Sequence, residues 1–423
     1  MALTLNDADQ ALLRGELGDG VAFAMRVVTR VAQAMGARDL LDIVGAHIDS
    51  CLYHGPSGLD FVRRLAQGGA QVQVPTTLNV SSLDLLHPEL YRGDATFAAE
   101  ARELMQGYES LGCEPTWTCA PYQRMDRPAF GDHVAWAESN AIVFANSVLG
   151  ARTHRYGDFI DICAALTGRA PAAGLHLDEE RRGTVVCELH GVRDALLDSD
   201  VLAPVLGYVV GAEAGSQVPV IVGMPPAQPE HRLKALGAAA ASSGGVGMFH
   251  MVHSTPEAPD LATALHGGKA HRSVVIDIDR LNQARRELST GVGQPLGAVC
   301  LGTPHYSIDE FEILVNLIGG RAAHRDVAVY VNTSRAIWNE VSLRGWARVL
   351  TEARVQPVTD TCSYITPVMA PFEGTAMTDS AKWAHYAPGN IGVTVHFASI
   401  ESCVESAVAG HTVIVDDERW FPQ

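Results

Sequence analysis

Over residues 3–17 apolar side chains recur at Ala8, Ala11, Leu12 and Leu17 behind Thr4 or Asn6 as a candidate N-cap, a spacing that predicts an amphipathic helix. Residues 21–35 repeat the pattern and stop at Gly36, so two packed helices open the chain. Residues 40–44 are a short apolar run, and the glycines at 45, 55 and 58 mark the next stretch as a loop. A helix is expected over 58–67, an alternating strand over 70–74 and a further amphipathic helix over 95–111, ending at Gly112. Beyond Gly174 the pattern changes. Short runs of Val, Ile and aromatic residues at 218–224, 246–253, 273–279, 296–302, 327–332 and 391–397 alternate with helical periods at 232–241, 308–317 and 334–352. Such alternation predicts an α/β fold of parallel or mixed sheets flanked by helices. It suggests an N-terminal region 1–200 and a doubly wound C-terminal region 201–423, joined in one compact body. Gly244-Gly245-Val246-Gly247 precedes a strand instead of joining a strand to a helix, so it reads as a turn and not a dinucleotide fingerprint.

Composition narrows the function. With 47% apolar and 19% charged residues, the 423-residue chain is an ordinary folded protein. A formal charge of -17 and a pI near 5.4, without any basic patch, argue against a nucleic-acid binder. The first residues lack the charged-then-apolar layout of a signal peptide, and the apolar region 201–224 is interrupted by Glu213, Ser216 and Gln217. The expected location is cytoplasmic. Eight cysteines without a CxxC pair read as reduced thiols, and Cys51, Cys163 and Cys187 as small buried hydrophobes.

The densest candidate chemistry lies between Gly112 and Arg155. There Glu138, Ser139, Asn140, Asn146 and Ser147 interrupt a helix-like segment that is otherwise Ala, Val, Ile and Phe. Polar groups in an apolar setting are costly unless something binds them, which suggests a substrate. Other candidates stand where strands should end, the usual place for ligands in α/β sheets. They are His47 and His54; Ser57; Thr76, Thr77 and Asn79; Cys300 to Ser307; Asp360 to Tyr364; and Ser402-Cys403. Each has a plain alternative: loop histidines, turn threonines, buried cysteines, Arg152 and Arg155 as C-terminal helix caps, and Lys382 as a solvated lysine.

These motifs resemble the aconitase X family. The likeness rests on Gly112-Cys113-Glu114-Pro115-Thr116-Trp117-Thr118-Cys119-Ala120-Pro121-Tyr122, Ala135-Trp136-Ala137-Glu138-Ser139-Asn140-Ala141 and Asn146-Ser147-Val148-Leu149-Gly150-Ala151-Arg152-Thr153. It extends to Val74-Pro75-Thr76-Thr77-Leu78-Asn79 and Gly174-Leu175-His176-Leu177-Asp178, and from His47 to about Cys403 it covers nearly the whole chain. The resemblance implies an aconitase-like multi-lobed fold without the swivelling domain and an iron–sulfur cluster, 2Fe–2S in type, with mononuclear iron as the alternative. Its thiolates would be Cys119, Cys362 and Cys403, with Cys300 in reserve because Thr303 stands where related sequences can carry a cysteine.

The implied activity is a hydro-lyase's, dehydration of cis-3-hydroxy-L-proline, with phosphomevalonate as the alternative substrate and a non-catalytic iron-binding scaffold as the alternative of another class. Hydroxyproline is preferred because a phosphate would call for several cations or a glycine-rich cradle, and neither is evident beyond Arg152 and Arg155. Catalytic roles would fall to His47, Glu138, Ser139 and Asn140. Substrate contacts would fall to Ser57, Thr76, Thr77, Asn79, Asn146, Arg152, His176 and Lys382. No swivelling segment is legible before Gln423, so a small swivel-domain subunit is expected to bring a catalytic serine.

Overall fold

The opening helices form where their apolar spacing places them. Asp7–Leu13 is closed by a capping box between Asn6 and Asp9, and Asp19–Ala34 buries Val21, Met25, Val28 and Ala32 on one face. The computed structural model describes residues 3–415 and 417–420. The chain packs as two units, one built from the residues up to 83 with 94–182, the other from 84–93 with everything after 182. The change of character expected near residue 200 compares with this division after Arg182.

In the first unit, strand β1 (Leu40–Asp42) pairs antiparallel with a later strand, and β2 (Ala46–Ile48) lies between two parallel neighbours, β3 (Thr76–Leu78) and β4 (Ala135–Trp136). The partner of β1 is β5 (Arg169–Pro171). Two expectations fail here. The glycine-rich stretch after residue 44 contains β2, because Gly45 delivers Ala46 straight onto the Pro75 carbonyl at 3.0 Å. The alternating run 70–74 is no strand; Val72 and Gln73 hydrogen-bond the carbonyls of Leu111 and Ala165, and pairing begins only at Thr76. Alternation reports which side chains are buried, and it cannot say which backbone is opposite.

The second unit carries two wholly parallel sheets. The first joins β6 (Val185–Leu189), β7 (Pro219–Val222), β8 (His250–Met251) and β9 (Arg272–Ile276) in the order β8-β7-β6-β9. The run 246–253 thus yields a much shorter strand than its hydrophobicity suggests. The second sheet joins β10 (Leu296–Tyr306), β11 (Ala328–Thr333), β12 (Val355–Val358), β13 (Thr375–Thr378) and β14 (Thr394–Phe397) in the order β12-β11-β10-β13-β14. Each sheet starts in the middle, winds outward on one side and restarts on the other. A switch point therefore sits beside β6 and beside β10, where strand ends leave a crevice. Helices Ile308–Ile318, Arg335–Leu343, Trp346–Glu352 and Ile400–Ala409 bury Phe311, Val341, Leu350 and Val404 against Val299 and Leu301 of β10.

Near its end β10 passes Gly302, which has φ +82°. A Cβ there would meet the Asn332 carbonyl oxygen at 2.2 Å, so only glycine lets β10 lie this close to β11. Gly302→Ala is expected to cost roughly 1–3 kcal/mol or more of stability. Equilibrium urea unfolding checks this, and a midpoint equal to that of the parent protein would show that the strand yields.

Candidate active site

In the first unit the three parallel strands align His47 with both Thr77 and Trp136. His47 is no surface histidine: it is completely buried, its Nδ1 lies 2.8 Å from Thr77 Oγ1, and its ring meets Trp136 edge-on at 6.0 Å between centroids. Burial lowers its pKa to about 4, against the raising influence of nearby Glu138, so the ring is neutral at pH 7. His54 is exposed, and so is Ser57, in the first turn of helix Pro56–Gln67.

The segment beyond β4 begins with Glu138, whose carboxylate caps helix Ser139–Phe144 by accepting from Ala141 N at 2.7 Å and from Asn140 Nδ2 at 2.7 Å. Ser139 Oγ adds a bond at 3.2 Å. Asn140 also donates to the Cys119 carbonyl at 2.6 Å and accepts from Tyr122 OH at 2.7 Å. Glu138 and Asn140 thus tie the Cys119 loop to the helix start. Asn146 lies in a π turn, Ala145–Leu149, with its amide bonded to Thr153 N, Thr153 O and Arg181 Nη1 at 2.8–3.0 Å. Arg152 donates to His176 O at 3.1 Å and pairs with Asp178, while His176 is enclosed by His133 Nδ1 at 3.0 Å and Tyr156 OH at 2.5 Å. Thr76 turns its hydroxyl to Val74 O at 2.8 Å.

The structure therefore brings together His47, Thr77, Asn79 and Glu138 at one sheet end and ties Asn146, Arg152 and His176 into a separate network. Two groups escaped sequence reasoning. Asp49 follows β2, and burial with the charges of Glu138, Asp158 and Asp161 pushes its carboxyl up to about 7. Arg124 and Arg127 stand with Thr77, Pro75 and Trp136 around a cavity of about 210 Å³, Arg124 being ion-paired to Glu114 and Asp126. The HIDS sequence placed after an expected strand would have been the available signal for Asp49.

In the second unit the end of β10 presents Thr303 and His305, and Thr359 to Ser363 come directly after β12. His305 Nε2 lies 3.1 Å from the Thr361 carbonyl, and the ligand atoms of His305 and Cys362 are within 4.8 Å of each other. Ligands about 2.0–2.3 Å from one ion stand at most ~4.5 Å apart, so these donors suit a shared metal after a small adjustment. Thr303 Oγ1 is buried beside them in sequence without a hydrogen bond. Cys403 sits on helix Ile400–Ala409 in the apolar cluster with Val299, Leu301 and Phe311. Cys300, mid-strand, contacts Met369 Sδ at 3.7 Å, and burial pushes its thiol up. Lys382 is not a solvated lysine: it is buried in the first turn of helix Ala381–Ile391.

Parallel sheets whose carboxyl ends gather neutral histidine, raised carboxyls and thiol donors define an α/β enzyme of the ligand-at-strand-end kind. Models of the aconitase X first, second and third domains match residues 2–179, 183–286 and 296–409. The last two correspond to the two sheets of the second unit. Over 411 residues the chain is 45% identical to the cis-3-hydroxy-L-proline dehydratase of Pseudomonas aeruginosa, covering 96% of this chain and 70% of that protein. It is 36% identical over 397 residues to the phosphomevalonate dehydratase large subunit of Methanothermobacter thermautotrophicus, covering 92% and 95%. The crystal structure of Thermococcus kodakaraensis aconitase X in its holo-form superimposes with a TM-score of 0.85 at 29% identity, over 96% of this chain and 100% of that one. The chain belongs to the aconitase X family. Among the described residues no helix is long and apolar enough to cross a membrane.

Asp161 predicts a pH dependence of stability. It is fully buried, and burial raises its pKa to about 6 although Ser50 N, Asp49 N and Ile162 N donate to it. A carboxyl raised above its unfolded value favours folding below about pH 4, and that contribution is lost as pH rises through about 6. His47, with a lowered pKa, acts oppositely, losing stability as pH falls from 6.5 through about 4. The parent protein should therefore lose more stability between pH 4.5 and 7.5 than Asp161→Asn, measured by urea unfolding at both pH values. Parallel pH profiles would refute the assignment.

Proposed function

We propose that this chain is the large subunit of an iron-dependent hydro-lyase that dehydrates cis-3-hydroxy-L-proline to Δ1-pyrroline-2-carboxylate. The observation that carries the reading is the acidic, hydrogen-bonding end of β2 and β3, where Asp49 and Glu138 stand beside a neutral His47. A phosphorylated substrate would be repelled there. The greater similarity to the Pseudomonas protein points the same way.

In the reaction the Cα proton leaves to a base and the C3 hydroxyl leaves with a proton as water, giving an enamine. A proton added at C3 and one lost from nitrogen then complete the imine, with water as the net product removed. The substrate carboxylate is assigned to Thr77 and the arginine-bearing wall of the neighbouring cavity. The backbone held by Thr76, the network of Asn146, Arg152 and His176, and the helix cap formed by Glu138, Ser139 and Asn140 position these groups. Lys382 is a further substrate contact.

Cys119 and Cys362 are the proposed thiolate donors, with His305 in place of Cys403 as the third. Sulfur and imidazole both suit iron. Iron bound there, in a 2Fe–2S cluster or alone, supplies Lewis acidity toward the leaving hydroxyl. A small swivel-domain subunit is proposed to bring the serine that acts as base, in keeping with the large-subunit names of the relatives matched over nearly their full length.

Anaerobic co-purification with a candidate small subunit, followed by assay of cis-3-hydroxy-L-proline and mevalonate 5-phosphate side by side, tests the reading. Only the former should be turned over; turnover of the phosphate alone would replace it, and turnover of neither would favour an iron-binding scaffold. Full turnover by the chain alone would remove the partner. Cys362→Ala and His305→Ala should lose most bound iron and lower kcat at least ~100-fold, whereas Cys403→Ala should keep its iron. Iron loss in both Cys362→Ala and Cys403→Ala, with iron kept in His305→Ala, would restore the three-cysteine set.

A further inference from the structure

The hydrogen-bond directions after β2 leave acceptors facing a place with no donor. Asn79 gives its Nδ2 to Asp49 Oδ1, which fixes the amide and leaves Asn79 Oδ1 buried without a hydrogen bond. Thr77 Oγ1 reaches the Ala46 carbonyl at 3.4 Å and His47 Nδ1 at 2.8 Å; in the tautomer with its proton on Nδ1, the neutral His47 donates to Thr77 and keeps a lone pair on Nε2. That Nε2 is likewise buried without a hydrogen bond, on a side chain 0% exposed, and Asn79 is 2% exposed. Asn79 is among the neighbours that act on the ring. In that tautomer both atoms are acceptors, and two acceptors cannot satisfy each other.

Beside them Asp49 is half-buried and reachable, and its surroundings hold further negative charge. Asp161 is occupied by Ser50 N and Oγ and by Asp49 N, and Glu138 by Asn140 and Ala141. Both remain as fixed charges. The Arg124 guanidinium, whose charge acts on the His47 ring, is taken by Glu114 and Asp126. A carboxyl beside two buried acceptors suits an organic cation with N–H donors.

We propose that Asp49, Asn79 and His47 seat the secondary ammonium group of the substrate, so that this site selects a cyclic amino acid over a phosphorylated hydroxy acid. The inference rests on the dehydratase reading and adds to it the group that recognises the ring nitrogen. Two N–H donors of a pyrrolidinium would satisfy the orphaned oxygen and the ring lone pair, and its charge would offset that of Asp49.

Calorimetric titration of the iron-loaded protein with L-proline, which carries the ammonium group, and with pyrrole-2-carboxylate, whose ring nitrogen is neutral, tests this. The parent protein should prefer L-proline. Asp49→Asn should weaken L-proline at least tenfold and leave pyrrole-2-carboxylate within about twofold, with Asp49→Glu recovering part of the loss. In turnover of cis-3-hydroxy-L-proline the change should fall mainly on KM. Asn79→Leu, which removes the orphaned acceptor, should also weaken L-proline and serves if Asp49→Asn does not fold. Equal affinity for the two ligands in the parent protein, or unchanged L-proline affinity in folded variants, would overturn the seat. Turnover of cis-3-hydroxy-L-proline with an unchanged KM in Asp49→Asn would overturn it alone, whereas absence of turnover in the parent enzyme would overturn the dehydratase reading.

Discussion

The buried carboxylate of Asp161 is the contact on which the first unit's strand end depends. It takes the backbone N–H groups of Asp49 and Ser50 and the Ser50 hydroxyl, which in turn accepts from Tyr108 at 2.7 Å. Those bonds fix the chain just after β2, and the direction of Asp49 is set by them. Without an acceptor at this depth the two amide groups would be unsatisfied, and the segment would have no reason to hold one shape. Asp161 keeps a carboxyl function in an apolar setting because its partners are backbone donors whose positions the fold already determines.

The second unit reaches a comparable result by different means. There the switch point beside β10 places the end of that strand next to the loop after β12, and Asn332 stitches the two by donating to Leu301 O at 2.7 Å and accepting from Ser363 N at 2.9 Å. The Asn332–Ser363 bond fixes the backbone beside Cys362.

Much of this was legible in the sequence because helices announce themselves by period and cap. The structure chooses Asn6 of the two caps that the sequence offered, and closes the helix read from its period at 308–317 with Ser307, Glu310 and Gly319. The large alternation after Gly174 gave parallel sheets for the same reason. Strand pairing could not be read. His47 looked like a loop residue because Gly45 breaks the local pattern, and its burial is decided by Thr77 and Trp136, about thirty and ninety residues away. The motif residues were legible, but their partners within the protein were not: Asn146 and Arg152 bond backbone and side chains of their own unit that are distant in sequence. Asp49 was overlooked because one acid in a short polar run carries no period.

Residues 84–93 pack with the second unit although the sequence on both sides of them builds the first. Asp84 accepts from Thr359 N and Thr359 Oγ1, each at 2.8 Å, and Leu85 N donates to Asp360 Oδ2 at 3.0 Å. The polypeptide thus crosses between units three times instead of once. No single scission yields two self-sufficient fragments: cutting after Arg182 would leave the acceptor for Thr359 on the wrong piece.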